Sequence, residues 1–429
     1  MAARTGAEYL AGLRDGREIW LYGERVPDVT THPKLAGIAR SVADLYDMQH
    51  DPALQDTLTY TSPSSGEPVG LSFIEPRTPE DLIRRRQMFR TWAEYSGGML
   101  GRSPDYMNCM VAGCAVARDY IAQNGPEYAD RMVAFYEWAR EHDVCMTHTL
   151  IQPQQNRSKG PNQQADPSVP LHIVGENAQG MVVTGARMLA TLAPTSDELV
   201  VMPSTVVTTG GDASAYAYAF SIPVATPGLK FVCRGAFDSD GPAWDHPLSS
   251  RFEEMDAVAI FDEVQVPWER VFMKGDMDLC NGLFRRTNAY AHAMHQFLVK
   301  NLVKAEFMLG LASLMTAAIG TAEFPNIQAF IGEMVDDVQT LWAFIRAAEA
   351  EAQPHEGGVL VPDLQLLLSA RNFFPRVYPR LVEIVQLLGS SGLMATPTEA
   401  DIEALPGEID KYYQASDIMG IERIRLFRL

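Results

Sequence analysis

The chain has 429 residues, 47% hydrophobic and 21% charged, which is long enough for two or three domains and too apolar for disorder. Acids outnumber lysine plus arginine 54 to 35, and the resulting net charge of −19 disfavours a phosphate backbone, so no nucleic-acid partner is expected. Five cysteines without a CxxC pair point to a reducing compartment rather than a zinc site.

The N-terminus lacks the basic start and apolar stretch of a signal peptide. The longest uncharged apolar stretch, residues 307–322, is shorter than the ~20 residues of a bilayer span and reads as a core helix. A cytoplasmic protein without membrane contact is expected.

Up to residue 148 the chain reads mainly as helix. Thr78-Pro79-Glu80-Asp81 is a helix start, with threonine as cap, proline in the first turn and acids at the positive end. Leu82, Phe89, Trp92 and Ala93 follow at helical spacing, and Gly97-Gly98 ends the element. Residues 107–123 and 127–142 predict two more helices.

Short β-rich runs then appear at 171–174, 180–184, 199–202, 216–222, 230–233 and 257–261. They are punctuated by Pro, Gly, Asp and Ser, as in an antiparallel barrel or sandwich. Residues 298–320, 326–353 and 376–388 read as long bundle helices. The expectation is an α+β chain of three parts: a mainly helical domain at 1–148, a β domain at 149–275 and a helical bundle at 276–429.

No Walker loop, HExxH, GxSxG or strand-linked GxGxxG is present, so no nicotinamide domain of Rossmann type is expected. Arg84, Arg85, Arg86 and Arg90 share one helix and read as a solvated face. Arg102 differs, because it follows a glycine-rich approach and directly precedes a Ser103-Pro104 helix start. That placement suits an anion or a developing negative charge.

Residues 147–159 hold a histidine, three glutamines, an asparagine and two cations. They read either as a polar crossover loop or as a site for a heterocycle whose edges match amide groups. A histidine at position 148 could cap the preceding helix or bind a ligand oxygen. His292 and His295 are three apart, with no acid or cysteine in the next ten residues, which favours a hydrogen-bonded or interfacial pair over metal ligands.

Gly-Arg-Ser-Pro-Asp-Tyr-Met-Asn at 101–108 and Thr-His-Thr…Pro-Gln-Gln-Asn-Arg at 147–157 resemble the oxygenase component of 4-hydroxyphenylacetate 3-hydroxylase and its chlorophenol monooxygenase relatives. Segments at 185–194, 266–271, 304–312 and 388–394 extend the resemblance in register along the chain.

The resemblance implies an acyl-CoA dehydrogenase-like fold and a homotetramer. It also implies hydroxylation of a phenol, ortho to its hydroxyl, by reduced FAD and O2 through a C4a-hydroperoxyflavin. A separate NAD(P)H-dependent reductase supplies the reduced FAD, and no metal is expected. Carried over by position, Arg102, Tyr106 and His148 contact the substrate, with His148 also touching flavin. Gln154, Gln155, Asn156, Arg157 and Thr191 contact flavin. Ser204 and Thr205 open a loop that closes over substrate, and His292, with His295 one turn away, falls near the reacting oxygen. Relatives continue past a segment like residues 425–429 into a helix that contacts flavin.

Three other readings stand beside this one. An acyl-CoA dehydrogenase would need a carboxylate base such as Glu306, Glu333 or Glu383. A 4-hydroxybutyryl-CoA dehydratase would need ligands for a [4Fe–4S] cluster, and no cysteine follows Cys280. A non-catalytic flavin-binding protein would bind flavin and hydroxylate nothing. Hydroxyphenylacetate, coumarate, chlorophenols and carrier-bound tyrosine derivatives all stay open as substrates.

Overall fold

Capping and close backbone contact fix the helices that frame the site. The computed structural model describes residues 3–153, 155–203, 213–238 and 241–429. Helix α1, Pro79–Tyr95, starts at a reciprocal capping box: the Thr78 hydroxyl accepts from the Asp81 N–H, and the Asp81 carboxylate accepts from the Thr78 N–H. Gly97 (φ +59°) and Gly98 (φ +72°) then turn the chain in the left-handed region. A Cβ on Gly97 would lie 2.9 Å from the Phe307 ring, and one on Gly98 would lie 2.7 Å from the Lys304 nitrogen. The pair is glycine because the backbone presses directly on the helix carrying residues 300–307.

Helices α2, Pro104–Val116, and α3, Pro126–Glu141, follow. The predicted helix at 107–123 is interrupted at Ala117 (ψ 40°) and resumes as the short turn Arg118–Ile121.

Two sheets form the middle of the molecule. The strands are β1 (Glu18–Leu21), β2 (Glu24–Val26), β3 (Met146–Thr149), β4 (His172–Asn177), β5 (Gly180–Thr191), β6 (Glu198–Val201), β7 (Tyr218–Pro223), β8 (Leu229–Cys233), β9 (Asp256–Pro267) and β10 (Val271–Lys274). One sheet has the order β2-β1-β8-β9-β5-β4 and the other β10-β7-β6-β3. Buried side chains of both share one core, with Phe220 edge-on to Phe261 at 6.3 Å, which makes a sandwich.

The expected all-antiparallel pattern is corrected at two places, since β1 pairs parallel with β8 and β3 parallel with β6. Both exceptions come from the segment read as helical. β1–β2 is a hairpin too short to stand out beside long amphipathic neighbours, yet Ile19, Leu21 and Val26 are buried in the sandwich core.

The bundle consists of α4 (Ala289–Ala318), α5 (Pro325–Ala350) and α6 (Leu364–Met394). Helix α6 begins twelve residues before the predicted 376 and carries Pro375 and Pro379 inside it. Each proline removes one helical donor, but the Asp363 cap and the buried row Leu367, Ala370, Phe374, Leu381 and Ile384 hold the helix through them. Among the described residues, no helix is long and apolar enough to cross a membrane.

Candidate active site

The site forms where the start of α2 meets β3. Strand alternation sends Thr147 and Thr149 one way and His148 the other. The Thr147 hydroxyl donates to the Thr191 carbonyl and the Thr149 hydroxyl to the Met188 carbonyl, which fastens β3 to β5. His148 faces α2 and packs against Tyr106, with ring centroids 5.5 Å apart and planes tilted by 36°. The Arg102 guanidinium also lies over the Tyr106 ring, 4.2 Å from its centroid. Arg102, Tyr106 and His148 are thus brought together.

Helix capping is excluded for His148, because α3 ends at Glu141 and the histidine is paired within a strand. Its Nδ1 is buried without a hydrogen-bond partner. Burial, with Arg102 adding to it, pushes its pKa down to about 3, so the ring is neutral at physiological pH. Burial raises the Tyr106 pKa, opposed by Arg102. Asp105, buried one residue earlier, is pushed up to about 6 by desolvation, against hydrogen bonds from Ser103 and Gln296. Gln296 Nε2 donates to Asp105 Oδ2 at 3.0 Å, while Oδ1 has no partner.

A cavity of about 550 Å³ opens beside this cluster, lined by Arg102, Thr191, Arg234, Glu254, Asp256 and Lys304 among others. Its acids are largely engaged. Asp256 accepts from the Thr191 hydroxyl at 2.6 Å and from Arg234 Nε at 3.0 Å, and Glu254 accepts the Arg102 main-chain N–H.

Of the remaining expected residues, those described do not line this cavity. His292 sits behind Cys109, whose thiol approaches both the Tyr106 and His292 carbonyls, and its Nδ1 is 3.1 Å from Arg85 Nη2. The same guanidinium nitrogen is 3.3 Å from His295 Nδ1, and His295 Nε2 is 2.8 Å from Glu349. Arg86 also bonds Glu349, and Arg90 bonds Glu306.

The solvated-face reading of these arginines is therefore corrected. Arg85 is 1% exposed, Arg86 is largely covered, Arg90 is partly covered and Arg84 faces solvent, because α1 packs on α4 and α5 along that side. Gln155, Asn156 and Arg157 are exposed, and Asn156 folds its loop onto Gln164 and Ser158. Gln154, Ser204 and Thr205 lie outside the described residues.

Lys300, Glu254 and Asp105 were not anticipated. A signal for Lys300 existed: it and Lys304 are the only lysines or acids in the apolar stretch 289–305. Glu254 gave none, because its partner is 152 residues away.

The N-terminal family of 4-hydroxyphenylacetate 3-hydroxylase matches residues 5–273 and the C-terminal family matches residues 280–429. The chain belongs to the 4-hydroxyphenylacetate 3-hydroxylase family. It is 45% identical to the 4-hydroxyphenylacetate 3-monooxygenase oxygenase component of a Geobacillus species and 44% identical to that of Thermus thermophilus. Both alignments span 100% of this chain and 87% of the relative. The crystal structure of the oxygenase component (HpaB) complexed with FAD and 4-hydroxyphenylacetate superposes with a TM-score of 0.94 at 43% identity, covering 99% of this chain and 88% of that one.

Butyryl-CoA dehydrogenase from Megasphaera elsdenii matches at 15% identity and a TM-score of 0.51, covering 90% of this chain and 88% of that one; this shows the acyl-CoA dehydrogenase-like fold alone. The residues present suit a flavin of the kind the family's structure holds. His148 Nδ1 and both side-chain amide atoms of Gln152 are buried without partners at the start of the polar run, which is the chemistry a heterocycle edge satisfies.

Proposed function

We propose that this protein is a flavin-dependent monooxygenase that uses reduced FAD and O2 to hydroxylate a phenol ortho to its hydroxyl. The observation that carries the reading is the convergence of Arg102, Tyr106 and neutral His148 beside a cavity, in a chain 43% identical to a protein whose structure holds FAD and 4-hydroxyphenylacetate. When bound, reduced flavin supplies the activated oxygen atom.

The chain's own residues prepare the phenol. A phenol has an ordinary pKa near ~10 and is a weak nucleophile while its proton is held. His148 Nδ1, neutral and unpartnered, accepts the phenol O–H and so enriches the ortho carbon. Arg102 stabilises the negative charge that develops on the oxygen, and the Tyr106 hydroxyl orients it. Burial of Tyr106 and His148 keeps water from the reacting atoms.

Thr191, Gln154, Gln155, Asn156 and Arg157 hold the flavin in this reading, and Ser204 and Thr205 cover the substrate. His292, tied to Arg85, serves as a support behind α2. We further infer a homotetramer in the cytoplasm, fed with reduced FAD by a separate reductase.

Purified protein mixed with a flavin reductase, NADH and a panel of phenols tests the reading. A catechol product from 4-hydroxyphenylacetate or a related phenol is expected. Peroxide release with every phenol, and no hydroxylated product, would reject it.

A further inference from the structure

The buried amine of Lys300 is unclaimed by the chemistry above. Lys300 is 7% exposed on α4, and among the described residues its ammonium lies over the Phe297 ring, 5.1 Å from the centroid, with neither an ion pair nor a hydrogen bond. A lysine that deep ordinarily has a partner, because an unpaired ammonium is costly to take out of water.

Its surroundings tie it to Arg102. A Cβ placed on Gly101 would lie 3.7 Å from Lys300 Nζ and 3.3 Å from Glu254 Oε2, so the amine and the carboxylate bracket the residue before Arg102. The other oxygen of Glu254 accepts the Arg102 N–H. The Gly97–Gly98 turn is pressed onto the Lys300 carbonyl and the Lys304 nitrogen, which locks the loop leading to Arg102 against the same turn of α4. Three groups therefore face this amine: Lys304 from its own helix, Arg102 from the loop before α2, and Glu254 from the connection entering β9.

We propose that Lys300 is a positioning residue for the hydroxylation: acting through Glu254, it sets the charge around Arg102 and tunes the binding of an anionic phenol to the cavity near neutral pH. Electrostatics agree with the geometry. Burial, and then Lys304, push the amine down to about 7, with Glu254 opposing and Arg102 adding to the shift. His148, held near 3, does not change charge in that range, and Asp105, near 6, titrates in wild type and in Lys300 variants alike. As pH rises through about 7, Lys300 loses its proton. One positive charge is then lost behind the cavity-lining pair Arg102 and Glu254, and affinity for an anionic ligand falls.

The inference rests on the cavity being the phenol site. Calorimetric titration of 4-hydroxyphenylacetate into the protein, with saturating oxidised FAD and from about pH 5.5 to about pH 8.5, tests it without turnover. Neither the carboxylate nor the phenol of that ligand titrates in this window.

Wild-type affinity should fall about ten-fold across the window, the size of one charge felt through several ångströms of protein. Lys300→Met should bind weakly at all pH values, and Lys300→Arg should bind tightly at all of them. Glu254→Gln, which removes the one group favouring the ammonium, should move the wild-type midpoint to lower pH, and this variant decides the matter if Lys300→Met does not fold. Parallel pH profiles for wild type and Lys300→Met, or an unmoved midpoint in Glu254→Gln, would overturn the role of Lys300 alone. A wild type that binds no phenol at any pH would overturn the reading of the cavity together with it.

Discussion

Two arginine–histidine clusters lie along α2, one at Tyr106 and the other at Cys109 and Gly113, and they have been built to opposite ends. Around Arg85, the rings of His292 and His295 and the carboxylate of Glu349 answer one another through hydrogen bonds of 2.8 to 3.3 Å. The gap beside them is too narrow for a water molecule. Around Arg102, the neighbouring His148 Nδ1 and Asp105 Oδ1 are buried without partners, and a cavity of about 550 Å³ opens alongside. The same residue types make a closed strut in one place and an open site in the other. What distinguishes them is room: Arg85 Nε is also buried without a partner but has no space beside it for one, whereas His148 Nδ1 lies near a cavity. A buried polar atom left without a partner costs about 1–3 kcal/mol unless a ligand or water completes it.

The largest effect should come from the open cluster. Arg102→Ala removes the cation over Tyr106 and should lower hydroxylation turnover by ~10²-fold or more, in the range of other preorganised charge contacts. Product formation per unit time with a saturating phenol checks this, and near wild-type turnover would take Arg102 out of the site.

The closed cluster should respond in stability instead. Arg85→Ala leaves the Nδ1 atoms of His292 and His295 without their shared donor and should cost about 1–3 kcal/mol, as for buried polar atoms left unpaired. Urea unfolding measures the loss. The folded fraction should still couple oxygen use to product, and a variant that unfolds normally but uncouples would join the two clusters functionally.

A smaller effect sharpens the contrast through pH. Asp105 has a folded-state pKa near 6, above its ordinary value of 3.8, because of burial. The folded protein therefore holds more protons than the unfolded chain between about 4 and 6, so this group's contribution falls as pH rises through that window and stays low above it. Asp105→Asn should be more stable than wild type at pH 7.5 by about 1–2 kcal/mol, with the advantage vanishing near pH 4. Equal differences at both pH values would mean that the carboxyl is not the cause.

The contrast between the clusters also marks what the sequence could and could not say. The order of helices, strands and bundle was legible, because each long helix carries its own caps and apolar spacing; Thr78 to Asp81 is enough to start α1. The proximity of Arg102, Tyr106 and His148 was legible through the motifs at 101–108 and 147–157. The burial of Arg85 was not, because nothing local separates it from Arg84; its partners His292 and His295 lie 207 and 210 residues away. Glu254 and the β1–β2 hairpin were hidden for the same reason, as each is defined by a distant strand or loop.

In the proposed function His148 faces the ligand of a phenol-hydroxylating site and is not a part of the scaffold. His148→Ala, supplied with reductase, NADH, FAD and 4-hydroxyphenylacetate, tests it when catechol and hydrogen peroxide are quantified in the same reaction. Oxygen consumption should continue while peroxide replaces most of the hydroxylated product, and the melting temperature should fall only modestly, because the ring's packing on Tyr106 is lost but no hydrogen bond of Nδ1 is. Undiminished catechol yield together with a large drop in melting temperature would contradict the account and return His148 to the core.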